Sequence, residues 1–284
     1  MVSVIIVNYN SANYVVNCCN SLHEFEKVDS FEILIVDNNS HDVNILREYI
    51  ELHTSKNIRL IENPRNYGFG KACNLGFQSS SGEFLFFLNP DTYLTRSVLN
   101  HYVQCFRNNQ DCNIACLSSI LKHGDNSFCH SSGSFLWPLY INLRNYKREI
   151  STLQGVEIVD VCVGSNIFFK RSTFEKINGF DDKIFLYQEE LEIQYRLRIL
   201  GYNSLLIGDL GIVHIKGVSS TNLFQRQSMV ISDAYIIKKH CNSILYLFFR
   251  LYTILMAIVF FKNPSVRLSE KISYLRSALF LKYF

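Results

Sequence analysis

The sequence predicts an α/β fold built on a doubly wound, mostly parallel sheet flanked by helices, and three observations support it. Short unbroken apolar runs alternate with helical-length stretches over the first 120 residues. The runs lack the polar alternation of a half-exposed strand, which argues for strands covered on both faces. Their carboxyl ends carry Asn8, Asp37, Asn63 and Asn89-Pro90-Asp91, polar residues where open α/β sheets bind ligands.

Taken in order, "VSVIIVN" (2–8) is a β-rich run followed by a helical stretch from Ser11 to about Phe25. "FEILIVD" (31–37) is the second run, and Val43 to His53 reads as a helix. "IRLIEN" (58–63) is the third, Lys71 to Ser80 the next helix, and "EFLFFLN" (83–89) the fourth run. A helix over Thr95 to Asn108 precedes "NIACLSSI" (113–120). Residues 121–155 have weak periodicity and read as a variable excursion. Strand character returns over 156–171, with a bend at Gly164-Ser165, and a helix from Gln188 to Leu200 is stopped by Gly201. The simplest partition is a catalytic domain over 1–220 with a helical tail over 221–284. The first part divides into halves over about 1–120 and about 121–220.

Composition separates body from tail. The net charge of +3 is too small for a nucleic-acid binder, but from Ile215 to Phe284 there are ten Lys and Arg against two acids. That is about +8, leaving about −5 on the preceding 214 residues. "ILYLFFRLYTILMAIVFF" (244–261) has Arg250 as its one charge, and Lys262, Arg267, Lys271, Arg276 and Lys282 follow. A central Arg is costly inside a bilayer, so the pattern predicts a basic, aromatic-rich helical pair on the membrane's inner face, with Arg250 snorkelling to the headgroups. A buried hairpin or a homodimer contact is the alternative. The nine cysteines are odd in number, form no Cys-x-x-Cys and sit largely in apolar runs, which predicts buried free thiols in a reducing, cytoplasmic compartment. The opening Met-Val-Ser-Val-Ile-Ile-Val shows no basic region or cleavage site.

Each polar motif has a bland and a functional reading. Asp37 in "IVDNNSHD" is either an Asx turn or helix cap, or a carboxylate accepting from a ligand's N–H or hydroxyl. "NPRNYGFGKACNLG" (63–76) is either an ordinary helix start, or a loop where Phe69, Lys71 and Asn74 bring backbone and charge to a diphosphate. It is no dinucleotide fingerprint, since that motif follows the first strand. Asp91 behind Asn89 either caps a Pro-containing turn, in a solvent-facing position, or binds Mg²⁺ or Mn²⁺ on a diphosphate. Glu189, Glu190 and Glu192 complement a helix dipole, or one of them is a partly desolvated general base behind Phe185-Leu186-Tyr187. His214 ends a strand, as a structural residue or a ligand.

The order of these motifs resembles family 2 glycosyltransferases, inverting enzymes of the GT-A fold, from Val2 to about Ser220. "GFGKACNLG", "FLNPDT" and "VCVGSNIFFKRSTFEKINGFDDKIFLYQEELEIQYRLRILGY" look like bacterial rhamnosyltransferases of surface-polysaccharide assembly. The resemblance implies a nucleotide-sugar donor, with Asp37 on the base, Asp91 and His214 on a divalent cation and the diphosphate, and Glu190 as base, with Glu189 in reserve. The donor-binding set is Asn8, Tyr9, Asp37, Asn66, Gly68, Phe69, Lys71, Asn74, Asn89 and Asp91. It also implies a saccharide or polyprenyl-linked saccharide acceptor, and thymidine-diphosphate rhamnose as donor, with a uridine-diphosphate hexose as alternative. Two departures stand out: Glu190 replaces the usual Asp of the base motif, and Asn89 replaces the first acid of the metal motif. A nucleotidyltransferase is the competing enzyme reading, but it wants a basic glycine-rich loop after the first strand, and "VNYNSANYV" is not one. A catalytically silent nucleotide- or glycan-binding module is the third.

Overall fold

The computed structural model describes residues 1–53, 57–109, 113–125, 127–129, 131–133, 135–136, 141–142, 155–215, 222–261 and 267–282. Strands β1 (Val2–Asn8), β2 (Phe31–Asp37), β3 (Ile58–Glu62) and β4 (Phe84–Leu88) form at the four expected runs. Helices α1 (Ala12–Phe25), α2 (Val43–Leu52) and α3 (Phe69–Gln78) connect them. β1 pairs in parallel with β2 and β4, and β2 with β3. Every residue of β1, β2 and β4 is buried, the burial that unbroken apolar runs require. Helix α3 lies directly on this sheet: a Cβ on Gly76 would stand 2.6 Å from Ile5 Cγ2.

Strand β5 (Thr92–Tyr93), helix α4 (Leu99–Asn108) and strand β6 (Ile114–Lys122) come next. Helix α4 begins four residues later than expected because Glu26, far back in the chain, caps it. Glu26 Oε1 accepts from Val98 N at 2.5 Å and Leu99 N at 3.0 Å. The excursion contributes the two-residue strands β7 (Ser132–Gly133), β8 (Phe135–Leu136) and β9 (Ile141–Asn142). The run expected over 156–171 divides into β10 (Val156–Val159), β11 (Val161–Cys162) and β12 (Asn166–Lys170). Helices α5 (Arg171–Lys176) and α6 (Glu189–Ile199), strand β13 (Asn203–His214), and helices α7 (Asn222–His240), α8 (Ser243–Phe261) and α9 (Leu268–Phe280) complete the order.

Beyond β4 the sheet does not continue as a parallel one. Its order is β10-β13-β6-β12-β4-β1-β2-β3, with β5 on β13. β12 runs antiparallel between β4 and β6, placing Phe168 opposite Phe86 and Phe169 opposite Leu85. This insertion explains the high aromatic content. On one face Phe86, Tyr102, Phe106 and Phe168 pack together beneath α1 and α4. On the other Phe87, Phe169, Phe174 and Phe180 do so beneath α3 and α6. Each such burial contributes on the order of 2 kcal/mol, and edge-to-face pairs add about 1 kcal/mol.

Of the cysteines, the eight described are free, and all but Cys241 are buried. Cys112 lies outside the described residues, as does the expected domain boundary at residue 220. Helix α7, which that division assigns to the tail, packs on the body through Ile236 and Ile237 against Ile184, Leu191 and Tyr195. Lys239 Nζ also lies 2.6 Å from both Asp181 Oδ2 and Glu192 Oε1. Helix α8 differs. Leu247, Phe248, Leu251, Leu255 and Val259 are each more than half exposed, which removes the buried-hairpin alternative. Among the described residues one helix, Ser243–Phe261, is long and apolar enough to cross a membrane. Arg250 is bonded within the tail. Its guanidinium donates to Ala278 O at 2.6 Å and Leu279 O at 2.7 Å, capping the carboxyl end of α9.

Candidate active site

The site is assembled at the carboxyl ends of β1, β2 and β4. Asn8 and Asp37 are register partners, and Asn8 Nδ2 donates to Asp37 Oδ1 at 2.7 Å. Asp37 Oδ2 accepts from Ser40 N at 2.9 Å, and Asn8 Oδ1 accepts from the backbone and hydroxyl of Ser11. Asp37, 2% exposed, thus orders the rim through internal bonds, the turn-forming reading of this motif. Tyr9 is 49% exposed at the same rim.

A chain of amides fixes the glycine-punctuated loop to that rim. Asn63 Nδ2 donates to Asn38 Oδ1 at 2.8 Å, and Asn38 Nδ2 to Gly68 O at 3.0 Å. Asn66 Oδ1 accepts from Gly68 N at 2.9 Å. Gly68 has φ +85°, and a Cβ there would stand 2.1 Å from Phe185 O. Only glycine permits this approach, which lets Phe69 N donate to Phe185 O at 3.0 Å. Lys71 Nζ lies 5.1 Å from the Tyr67 ring centroid and 3.7 Å from Asp182 Oδ2. Arg65 covers the same ring at 5.0 Å. The expectation that Asn74 reaches a ligand is corrected. Its Oδ1 accepts from Phe180 N, and its Nδ2 donates to Phe180 O and Asp182 Oδ1. Asn74 is therefore spent on tying α3 to the loop after α5.

Asn89-Pro90-Asp91 leaves β4 as a tight turn in which Asn89 O accepts from Thr92 Oγ1 at 2.6 Å. The antiparallel pairing of β5 with β13 sets Thr92 opposite His214, and Asp91 O accepts from Ile215 N at 2.8 Å. His214 Nε2 consequently lies 3.3 Å from Asp91 Oδ1. The expected solvent-facing position for Asp91 is also corrected: it is 6% exposed. Below it Cys18 is pushed up to about 12 by burial, with the Asp91 charge adding to the effect. One carboxylate and one imidazole make a sparse donor set, and the described residues hold no cluster of three ligating side chains. That composition fits a cation completed by diphosphate oxygens and water, and imidazole suits Mn²⁺ better than Mg²⁺.

The acidic helix start divides its three glutamates among three environments. Glu192 is fully buried and accepts from Arg196 Nε at 2.8 Å and Lys239 Nζ at 2.6 Å, with His240 Nε2 at 3.0 Å. Burial opposes its ionisation, yet His240, Arg196 and Lys239 together hold it below the usual carboxylate range. Glu189 is 4% exposed, and its Cγ lies close to Gly70. Burial, then the charge of Glu190, raises its carboxyl well above that range. Its Oε1 has no partner among the described residues. Glu190 is half-buried, and its carboxylate lies along Gly164, where a Cβ would stand 3.5 Å from Oε2. The neighbouring Ser165 O accepts from Asn89 N at 2.9 Å. One short loop, 163–165, therefore has the Glu190 carboxylate on one side and the Asn89–Asp91 turn on the other.

The helix start itself is locally costly. Tyr187 and Gln188 take φ of +66° and +76°, each worth about 1–2 kcal/mol for a non-glycine residue. Sequence reasoning singled out Glu189 and Glu190, which start α6, and Asp91 and His214, whose Oδ1 and Nε2 lie 3.3 Å apart. It missed Asn38, whose amide holds the loop, and the role of Gly164, for which a bend was the one available signal.

Residues 3–177 match the family model described as Glycosyl transferase family 2. Rhamnosyltransferase WbbL of Escherichia coli (strain K12) is 21% identical over 239 residues, 80% of this chain and 88% of that protein. Among solved structures, a mannosyltransferase, PcManGT from Pyrobaculum calidifontis, in complex with GDP-Man and Mn²⁺, superposes with a TM-score of 0.64. It is 16% identical and is covered over 76% of its length by 100% of this chain. GalNAc-T7 with UDP, GalNAc and Mn²⁺ gives a TM-score of 0.69 at 16% identity, over 98% of this chain and 56% of that one. These likenesses bear out the GT-A fold. The family segment ends before Glu190 and His214, but it holds the rim, the glycine loop and the Asn89–Asp91 turn and covers more than half of the sequence. The chain belongs to glycosyl transferase family 2.

Proposed function

We propose that the protein moves L-rhamnose from a thymidine-diphosphate donor, with inversion, to a hydroxyl of a saccharide or polyprenyl-linked saccharide in surface-polysaccharide assembly. The transfer chemistry rests on the shared loop 163–165, which has the Glu190 carboxylate on one side and the diphosphate turn on the other. The rhamnose assignment rests on the motif resemblance and on the similarity to a rhamnosyltransferase.

In this reading Asp37 and Asn8 shape the base pocket, with Tyr9 at its edge. The Gly68–Phe69 backbone and Lys71 flank the diphosphate, which Asn66 and Asn89 support by fixing their turns. Asp91 and His214 would hold Mn²⁺ or Mg²⁺, which would supply positive charge to the departing diphosphate. Glu190 accepts the proton of the acceptor hydroxyl as that oxygen attacks the anomeric carbon from the face opposite the leaving group. Glu189, buried and with its carboxyl raised well above the usual range, takes no part. One working carboxylate is sufficient, because the leaving diphosphate needs no proton, unlike the sugar oxygen released in inverting hydrolysis.

Incubation with a panel of nucleotide sugars, followed by nucleoside diphosphate release, tests the reading. Release from the thymidine-diphosphate sugar that Glu190→Gln lowers by 10²–10⁴-fold is the expected result. Preference for a uridine-diphosphate hexose overturns the donor assignment. Undiminished release by Glu190→Gln overturns the base.

The exposed apolar stripe of α8 and the basic excess of the tail support a position on the cytoplasmic face of the cell membrane. An acceptor carried on a polyprenyl diphosphate would be presented there.

A further inference from the structure

Two consecutive non-glycine residues in the left-handed region end two positions before the proposed base, and what holds them in place comes from elsewhere in the chain. They are Tyr187 and Gln188. Gln188 is 2% exposed and leaves its Oε1 without a partner among the described residues, and Glu189 beside it leaves Oε1 in the same condition. Three adjacent residues thus carry backbone strain or an unmet polar atom. Such costs persist where the surroundings over-determine a conformation, and they collect at functional sites.

Two elements supply that determination. From α3, Phe69 N donates to Phe185 O at 3.0 Å. From α7, Ser232 Oγ donates to Leu186 O at 3.1 Å, and Asp233 Oδ1 accepts from Gln188 Nε2 at 2.6 Å. The Asp233 bond is short and charge-assisted. It also fixes which way the Gln188 amide faces, since a flipped amide would set its oxygen against the carboxylate. Gln188 O in turn accepts from Glu192 N at 3.0 Å, the first turn of α6. A side-chain bond from α7 therefore ends on the residue whose dihedral angles aim Glu189 into the core and Glu190 along Gly164.

We infer that Asp233 is a positioning residue for transfer: through Gln188 it holds the left-handed turn that places the Glu190 carboxylate. The inference rests on Glu190 as base. It assigns to α7, outside the matched family segment, a part in the chemistry as well as in packing. Misplacing a reacting group by about 1 Å costs on the order of 10²-fold in rate, while the donor site on β1, β2 and β4 is untouched by this bond.

The test uses the full chain with donor and acceptor. Asp233→Ala is expected to lower kcat by about 10–100-fold, with the Kd for the donor nucleotide unchanged. Asp233→Asn, whose Oδ1 still accepts from the glutamine amide, is expected to recover most of the loss, whereas Asp233→Leu, which keeps bulk but has no acceptor, is expected to stay slow. Gln188→Gly removes the amide but suits a φ of +76° without strain. It is expected to fall as Asp233→Ala does, and it keeps the test decisive should Asp233→Ala not fold. The double variant Gln188→Ala/Asp233→Ala should be no slower than its slower single parent. A kcat within twofold of wild type for Asp233→Ala or Gln188→Gly overturns the inference, as do single effects that multiply in the double variant. Glu190→Gln, assayed in parallel, separates the two layers: a slow Glu190→Gln beside a fast Asp233→Ala removes the clamp alone, and a fast Glu190→Gln removes the base assignment itself.

Discussion

Replacing Glu189 by glutamine asks whether two adjacent glutamates hold different protonation states. Burial, with the Glu190 charge beside it, keeps the Glu189 carboxyl well above its ordinary value. The folded protein therefore retains a proton there at pH values where the unfolded chain has released it. From about pH 4.3, the unfolded-chain value, up to the higher folded value, unfolding releases that proton. Stability then falls as pH rises, by about 1.4 kcal/mol per pH unit for one group. Glu189→Gln has no such proton to lose. The amide brings one more donor than the neutral acid into a pocket with one orphan oxygen, and that changes stability by an amount independent of pH. Thermal melts of both proteins between pH 5 and 8 should diverge. The variant should gain on wild type by about 2–3 °C per pH unit until the folded value is passed, after which the curves run parallel. Turnover in Glu189→Gln should stay within the same order as wild type. Curves that are parallel throughout refute the neutral state, and an inactive, folded variant refutes the division of roles between Glu189 and Glu190.

Three further outcomes are expected. Asp91→Asn should abolish transfer and, by titration calorimetry, weaken Mn²⁺ binding in the presence of nucleoside diphosphate; unchanged cation affinity would remove Asp91 from the metal site. Gly68→Ala should destabilise by about 3 kcal/mol or more, because its Cβ meets Phe185 O and its φ is left-handed, and a chemical denaturation curve that overlays wild type would contradict that geometry. Truncation after Cys241 keeps α7 and its contacts with the body, so the shortened protein should leave anionic vesicles, to which each basic residue of the tail adds about 1 kcal/mol, yet still bind donor. Aggregation, or loss of a dimer on truncation, would mark α8 as an interface between copies instead.

Local signals carried the first half of the fold. The runs at 2–8, 31–37, 58–63 and 83–89 announced β1 to β4 because strands buried on both faces need no alternation to be seen. The site's carboxylates were legible for a similar reason: each stands next to a strand end or a helix start. The insertion of β12 between β4 and β6 was not legible, since pairing across such a distance leaves no local pattern. The Glu26 cap on α4 and the Asp233 bond to Gln188 are likewise contacts between distant residues. Asn74 shows the opposite difficulty. Its position in a glycine-rich helix start suggested a ligand, and only the neighbourhood of Phe180 and Asp182 reveals where its amide is engaged.

The place of β12 has a consequence during synthesis. β1 to β4 lie within the first 88 residues and pair among themselves, so that half-sheet can form early. The outer edge of β4, "FLFFL", then waits for a partner that begins at Asn166. At ordinary elongation rates of about 5–20 residues per second, those roughly 80 residues take about 4–16 s. Throughout that interval the nascent chain presents an apolar, unpaired strand edge of the kind that templates aggregation. Protection of that edge, by a chaperone or by transient pairing with β6, is a requirement that this topology imposes on the cell before any sugar is transferred.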